Sequence, residues 1–131
     1  MKHDYLNANL KEGEVINHWL RSRFGGNKNA LIAVVGSTGS GKSYACMRMA
    51  ELWYEDYFHK EFPSTHICFS IREAMLLIQS GRLTRGDLII VEEAGVIMNS
   101  LDFQNKIVKF FGFVLQSFRS KNIGIIFNLP H

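Results

Sequence analysis

An α/β domain built on a parallel sheet is the fold class this sequence predicts, and three features predict it. Short, wholly apolar runs alternate with helix-patterned stretches. One such run feeds a glycine-rich loop that opens a helix, and another ends in two adjacent acids. Strands buried on both faces read as continuous apolar runs, and their regular alternation with helices requires right-handed crossovers within a parallel sheet covered by helices.

The elements follow in order. Residues 1–11 are polar and read as a flexible lead-in, and 12–131 as the folded domain. Val15, Ile16, Trp19, Leu20 and Phe24 recur at helical spacing over 12–24, and Gly25-Gly26-Asn27 ends that helix. Ala30 to Val35 is the first strand. Lys42 to Tyr57 follows as a helix with Ala45, Cys46, Met49, Ala50, Leu52 and Trp53 on its apolar side, broken by Pro63-Ser64. His66 to Ser70 reads as a second strand and Arg72 to Ser80 as a short helix closed by Gly81. Leu88 to Val91 is a third strand opened by the Gly86-Asp87 turn. A long helix is expected over Asp102 to Ser120, and Ile123 to Phe127 is the fourth strand. The long helix carries Phe103, Phe110, Phe111, Phe113 and Phe118, more than one face can hold. It reads either as packed between sheet and lid or as a subunit contact. Trp19 and Trp53 read as core.

Composition narrows the setting. The 131 residues allow one domain with one core, and 47% hydrophobic with 21% charged residues is ordinary for a globular protein. A net charge of +3 is compatible with nucleic acid but weak as an argument. Cys46 and Cys68 lack metal-ligand spacing and read as buried thiols. No apolar run reaches the roughly 20 residues of a membrane span, and the N-terminus lacks a signal peptide's apolar segment. A cytoplasmic location is expected.

The chemistry concentrates in a few places. Gly36-Ser37-Thr38-Gly39-Ser40-Gly41-Lys42-Ser43 matches the Walker A pattern between strand and helix. Its glycines let backbone N–H groups turn inward around an anion, and the helix N-terminus adds partial positive charge. Lys42 is expected on the β- and γ-phosphates of ATP, Ser43 on Mg2+. Glu92 and Glu93 end the third strand, where the carboxyl ends of parallel strands face the phosphate loop. Glu92 is the candidate Mg2+ acid, standing where Asp is usual, and Glu93 the candidate general base. Asp87 is an alternative metal acid but lies at the wrong end of the strand. Asn128 ends the fourth strand; its amide donates and accepts at once, or it simply forms a turn before Leu129-Pro130. Arg119 is a candidate arginine finger or a helix C-cap, with Arg85 and Arg72 behind it.

Gly36 to Tyr44, Ile89 to Val96 and Leu115 to Asn128 together resemble the HerA/FtsK superfamily of motor ATPases. This group belongs to the ASCE division of P-loop proteins, and the likeness is nearest to archaeal viral or plasmid ATPases and zonular-occludens-toxin-like proteins. The resemblance spans residues 14–131. It implies a three-layer P-loop ATPase in which Gly36 to Ser43, with Tyr44, bind nucleotide, Glu93 is the base, Asn128 the sensor and Arg119 the finger. It further implies a homo-oligomeric ring, often a hexamer, that couples ATP hydrolysis to moving DNA or extruding phage. The family core has five strands in order 5-1-4-3-2, of which four are expected here in order 1-4-3-2. The first strand is then a sheet edge, and a fragment or a partner-supplied strand is expected. Asn128 also stands where Gln is common among such pumps. A slowly hydrolysing switch or assembly protein is the alternative, and a small-molecule kinase a weaker one, for want of an arginine-rich lid.

Overall fold

The computed structural model describes residues 13–36, 41–92 and 121–130, together with 105, 108–110, 112 and 113. In chain order the elements are α1 (Glu14–Gly25), β1 (Ala30–Gly36), α2 (Lys42–Tyr57), a 3-10 turn (Ser64–His66), β2 (Ile67–Cys68), α3 (Ile71–Gln79), β3 (Leu88–Glu92) and β4 (Gly124–Pro130). The strands form one four-stranded sheet in the order β1-β4-β3-β2, and every neighbouring pair is parallel. The expected order is therefore observed, with β1 at an edge.

Alternation along the strands divides the core in two. Ala30, Leu88, Ile90 and Ile126 pack against Leu20 and Phe24 of α1 and Cys46, Ala50, Trp53 and Tyr54 of α2. Ile89, Val91, Ile125 and Phe127 face the other way, toward Ala74 and Ile78 of α3 and Phe110. Period-2 side-chain alternation gives each set one face of the sheet, so helices flank both. Phe110 meets Phe127 edge-on, with ring centroids 5.6 Å apart. The described positions between 105 and 113 are helical. The rest of the helix expected over 102–120 lies outside the described residues.

Several local expectations differ from what is observed, among them the fourth strand, which runs from Gly124 past Asn128 to Pro130. The second strand shrinks to Ile67–Cys68. His66 belongs to the 3-10 turn instead, with its amide bonded to the Pro63 carbonyl. Ser70 is taken by the next helix as its N-cap: its hydroxyl accepts from the Glu73 amide at 3.1 Å while Glu73 accepts from the Phe69 amide at 2.7 Å. That reciprocal capping box starts α3 at Ile71, one residue early. Trp19 is 39% exposed rather than core, and the Arg23 guanidinium lies 5.9 Å from its ring. Trp53, by contrast, is fully buried and donates its indole N–H to the Gly86 carbonyl at 2.7 Å.

The amino end of β3 is pinned by a buried polar network. Tyr54 donates to Asp87 Oδ1 at 2.7 Å and accepts from the Leu88 amide at 2.9 Å. Asp87 Oδ2 accepts from the amide and hydroxyl of Thr84. Burial, reinforced by Asp87, pushes the Tyr54 phenol above its ordinary value. A buried carboxylate satisfied by three donors carries little of the penalty of a bare one. Both thiols are free and buried. No helix among the described residues is long and apolar enough to cross a membrane.

Candidate functional site

The carboxyl ends of β3 and β4 stand side by side because the two strands are parallel and in register, Glu92 opposite Asn128. The opposing strand is about 4.8 Å away, so a short amide can bridge to a longer carboxylate. Asn128 Nδ2 donates to Glu92 Oε2 at 2.7 Å and to Ser43 Oγ at 3.1 Å. A carboxylate only accepts, so the amide must present its NH2 group there. Asn128 is buried while Ser43 is exposed. One buried side chain thus orients a hydroxyl from α2 and an acid from β3.

The hydroxyl is delivered by the first turn of α2. Gly41 is the N-cap of α2 with φ 87°, the left-handed region that glycine enters without penalty. Gly41 brings no side chain to cap this helix end, where the positive end of the helix dipole stands. Lys42, the first residue of α2, reaches across the mouth and donates to the Leu129 carbonyl at 2.8 Å. Tyr44, one turn into solvent, is 72% exposed.

Beneath these groups lies Cys46. Burial pushes its thiol up to about 11, the Glu92 charge pushes in the same direction, and Lys42 opposes them. The thiol is therefore kept protonated and unreactive. Among the described residues no group of three or more His, Cys, Asp or Glu side chains could hold a metal.

Of the residues expected at the site, Asn128 is brought into direct contact with Ser43 and Glu92, and Lys42 bonds the next carbonyl along, that of Leu129; Gly36 ends β1, and Gly41 and the exposed Tyr44 flank the start of α2. Ser37, Thr38, Gly39, Ser40, Glu93 and Arg119 lie outside the described residues. Asp87 is at the opposite end of β3, its carboxylate committed to Tyr54 and Thr84. Arg85 sits at that same end, donating to the Phe24 carbonyl at 2.9 Å. Arg72 is exposed in the first turn of α3. The Leu129 carbonyl is the one participant that residue types could not announce, since every residue carries a carbonyl.

No family model matches the chain, and no curated protein or solved structure matches it.

Proposed function

We propose that this chain is a P-loop ATPase of the three-layer kind, which binds ATP with Mg2+ and hydrolyses it at the mouth formed by α2, β3 and β4. The observation that carries this reading is the single Asn128 amide holding both the Walker A hydroxyl of Ser43 and the acid Glu92. A glycine-rich turn without a ligand has no need for a serine and a carboxylate to share a buried donor.

The donor set fits Mg2+. Ser43 Oγ and Glu92 are both hard oxygen ligands, and an ion that keeps several waters and leans on substrate phosphates needs few from the protein. When bound, it would neutralise phosphate charge. Lys42 would exchange the neutral Leu129 carbonyl for phosphate oxygens, a stronger charge-assisted bond. The free amides at the start of α2 would take the remaining phosphate oxygens. Glu93 follows Glu92 directly and would accept a proton from the attacking water. The water oxygen bonds to the γ-phosphorus as the bond to the β–γ bridging oxygen breaks, leaving ADP and phosphate. Asn128 would hold Glu92 in place throughout and sense the γ-phosphate through the same NH2 group.

The motor part of the reading, action on DNA by a ring of identical subunits with Arg119 as finger, rests on the likeness to HerA/FtsK ATPases alone. Phosphate release from Mg-ATP, measured with and without duplex or single-stranded DNA on wild type and Glu93→Gln, tests it. Stimulation by DNA that disappears in the variant supports the motor. Turnover that requires a small acceptor contradicts it, and full activity in Glu93→Gln overturns the base.

A further inference from the structure

The turns at the amino ends of the strands gather positive charge, at the end of the sheet away from Ser43 and Glu92. Three of them are stitched together: residues 26–29 before β1, 80–87 before β3 and 121–123 before β4. Asn122 donates to Asn27 Oδ1 at 2.7 Å, and the Gly86 amide donates to the Asn122 carbonyl at 2.9 Å. Lys28, Arg82, Arg85 and Lys121 are exposed on these turns. Among the described residues, the side chains of Lys28, Arg82 and Lys121 have no hydrogen-bond or ion-pair partner. Arg85 donates to the Phe24 carbonyl, and the neighbouring Arg23 to that of Asn29. A carbonyl leaves their charge in place. The one acid on the three turns, Asp87, is 5% exposed and committed to Tyr54 and Thr84. The turn before β2 is mixed, with Lys60 beside Glu61, so the charge is confined to the side of β1, β4 and β3.

We infer that this face is a docking surface for duplex nucleic acid, met through its phosphate backbone. Its charge calls for a polyanion, and what the turns lack decides which. Protein interfaces centre on apolar and aromatic anchors, and an anionic bilayer is gripped by apolar side chains inserted beneath the charges. Here Leu83 and Ile123 are buried, and the exposed positions are Gly, Asn, Ser, Thr, Lys and Arg. Arg, Lys, Ser, Thr and Asn side chains are the ones that hold phosphate oxygens. Single strands are bound on aromatic stacking platforms, and none of the three turns contains an aromatic residue. Neighbouring strands lie about 4.8 Å apart, so the three turns spread over about 10 Å. A duplex strand carries one phosphate about every 3.4 Å of axis, so roughly three fall within that width. The face lies opposite the proposed nucleotide site, so the two ligands do not compete. The inference rests on charge and turn placement, and stands whether or not the chain hydrolyses ATP.

Fluorescence anisotropy of a labelled DNA duplex, titrated with the full chain over a range of salt, tests it. Wild type is expected to bind at low salt, with affinity falling steeply as salt rises. The triple variant Lys28→Ala, Arg82→Ala, Lys121→Ala is expected to bind at least about tenfold more weakly, with a log–log salt slope lower by about 2–3. All three side chains are exposed, so its circular dichroism is expected to match wild type. Removing equal charge elsewhere, with Arg48→Ala, Arg72→Ala and Lys109→Ala, is expected to change affinity less than about threefold, since charges away from the contact act only through a screened field. Wild type that ignores the duplex overturns the proposal, as do two triple variants that weaken binding alike. So does a single strand or polyglutamate that competes as well as unlabelled duplex. A chain that binds the duplex through these residues but binds no nucleotide refutes the ATPase reading and leaves this one standing.

Discussion

Asn128 donates its amide NH2 to the Glu92 carboxylate at 2.7 Å, across two parallel strands in which the two residues are register partners. A charged substitute at 128 would replace the donor that both Glu92 and Ser43 use. Asn128→Asp would set a second carboxylate against Glu92 in place of a donor and reverse the bond to Ser43, whose hydroxyl would have to donate. The expected cost is about 1–3 kcal/mol of stability, together with roughly a 10- to 100-fold loss of Mg-ATP turnover, the usual penalty for removing a group that orients a metal ligand. Urea unfolding and phosphate release measure the two. Asn128→Ala, which removes the donor without adding charge, is expected to lose turnover with a smaller stability cost.

Tyr54→Phe tests the separation of the two ends of β3. It would strip a partner from the Leu88 amide and from Asp87, both buried. Leaving such groups unsatisfied costs about 1–3 kcal/mol. The proposed nucleotide site lies at the carboxyl end of the strand, so nucleotide affinity is expected to stay unchanged at temperatures where the variant is folded. A large loss of affinity with unchanged stability would contradict this division.

Stability is expected to fall on the alkaline side. Burial raises Cys46 and Cys68 from an ordinary 9.0 to about 11, and raises Tyr54 above its ordinary 10.0. The unfolded chain then loses these protons before the folded one does. The stabilisation is fully present below pH 9 and is lost as pH rises from there through the folded values. Urea midpoints at pH 7.5, 9 and 10.5 should decline, and Cys46→Ala with Cys68→Ala should flatten the first part of that slope.

Much of this was legible in the residues, for identifiable reasons. Strand, loop and helix around Gly36 to Ser43 carry strong local signals, and α2 runs over the expected Lys42 to Tyr57. The buried strands announced themselves as apolar runs, and their order followed from the family likeness. The ends of elements were harder. β4 continues to Pro130 because β1 supplies a register partner as far as Gly36, a long-range fact no local pattern holds. β2 shortened because Ser70 and Glu73 compete for the backbone as a helix cap. Trp19 looked like core because its spacing on α1 matches Leu20 and Phe24, yet α1 buries a narrower stripe, Asn17 included. At the site, residue types pointed to Ser43, Glu92 and Asn128 but not to their shared hydrogen bonds, which depend on the register that sets Glu92 beside Asn128.

The most direct test is equilibrium binding of a non-hydrolysable ATP analogue by calorimetry, on wild type, Lys42→Ala and Glu92→Ala, with Mg2+ and with chelator. The prediction is saturable binding to wild type, at least tenfold weaker in Lys42→Ala under both conditions. Loss of the Mg2+ dependence in Glu92→Ala is also predicted, since that side chain would act only through the ion. Unchanged affinity in Lys42→Ala, with the fold intact, would contradict the account.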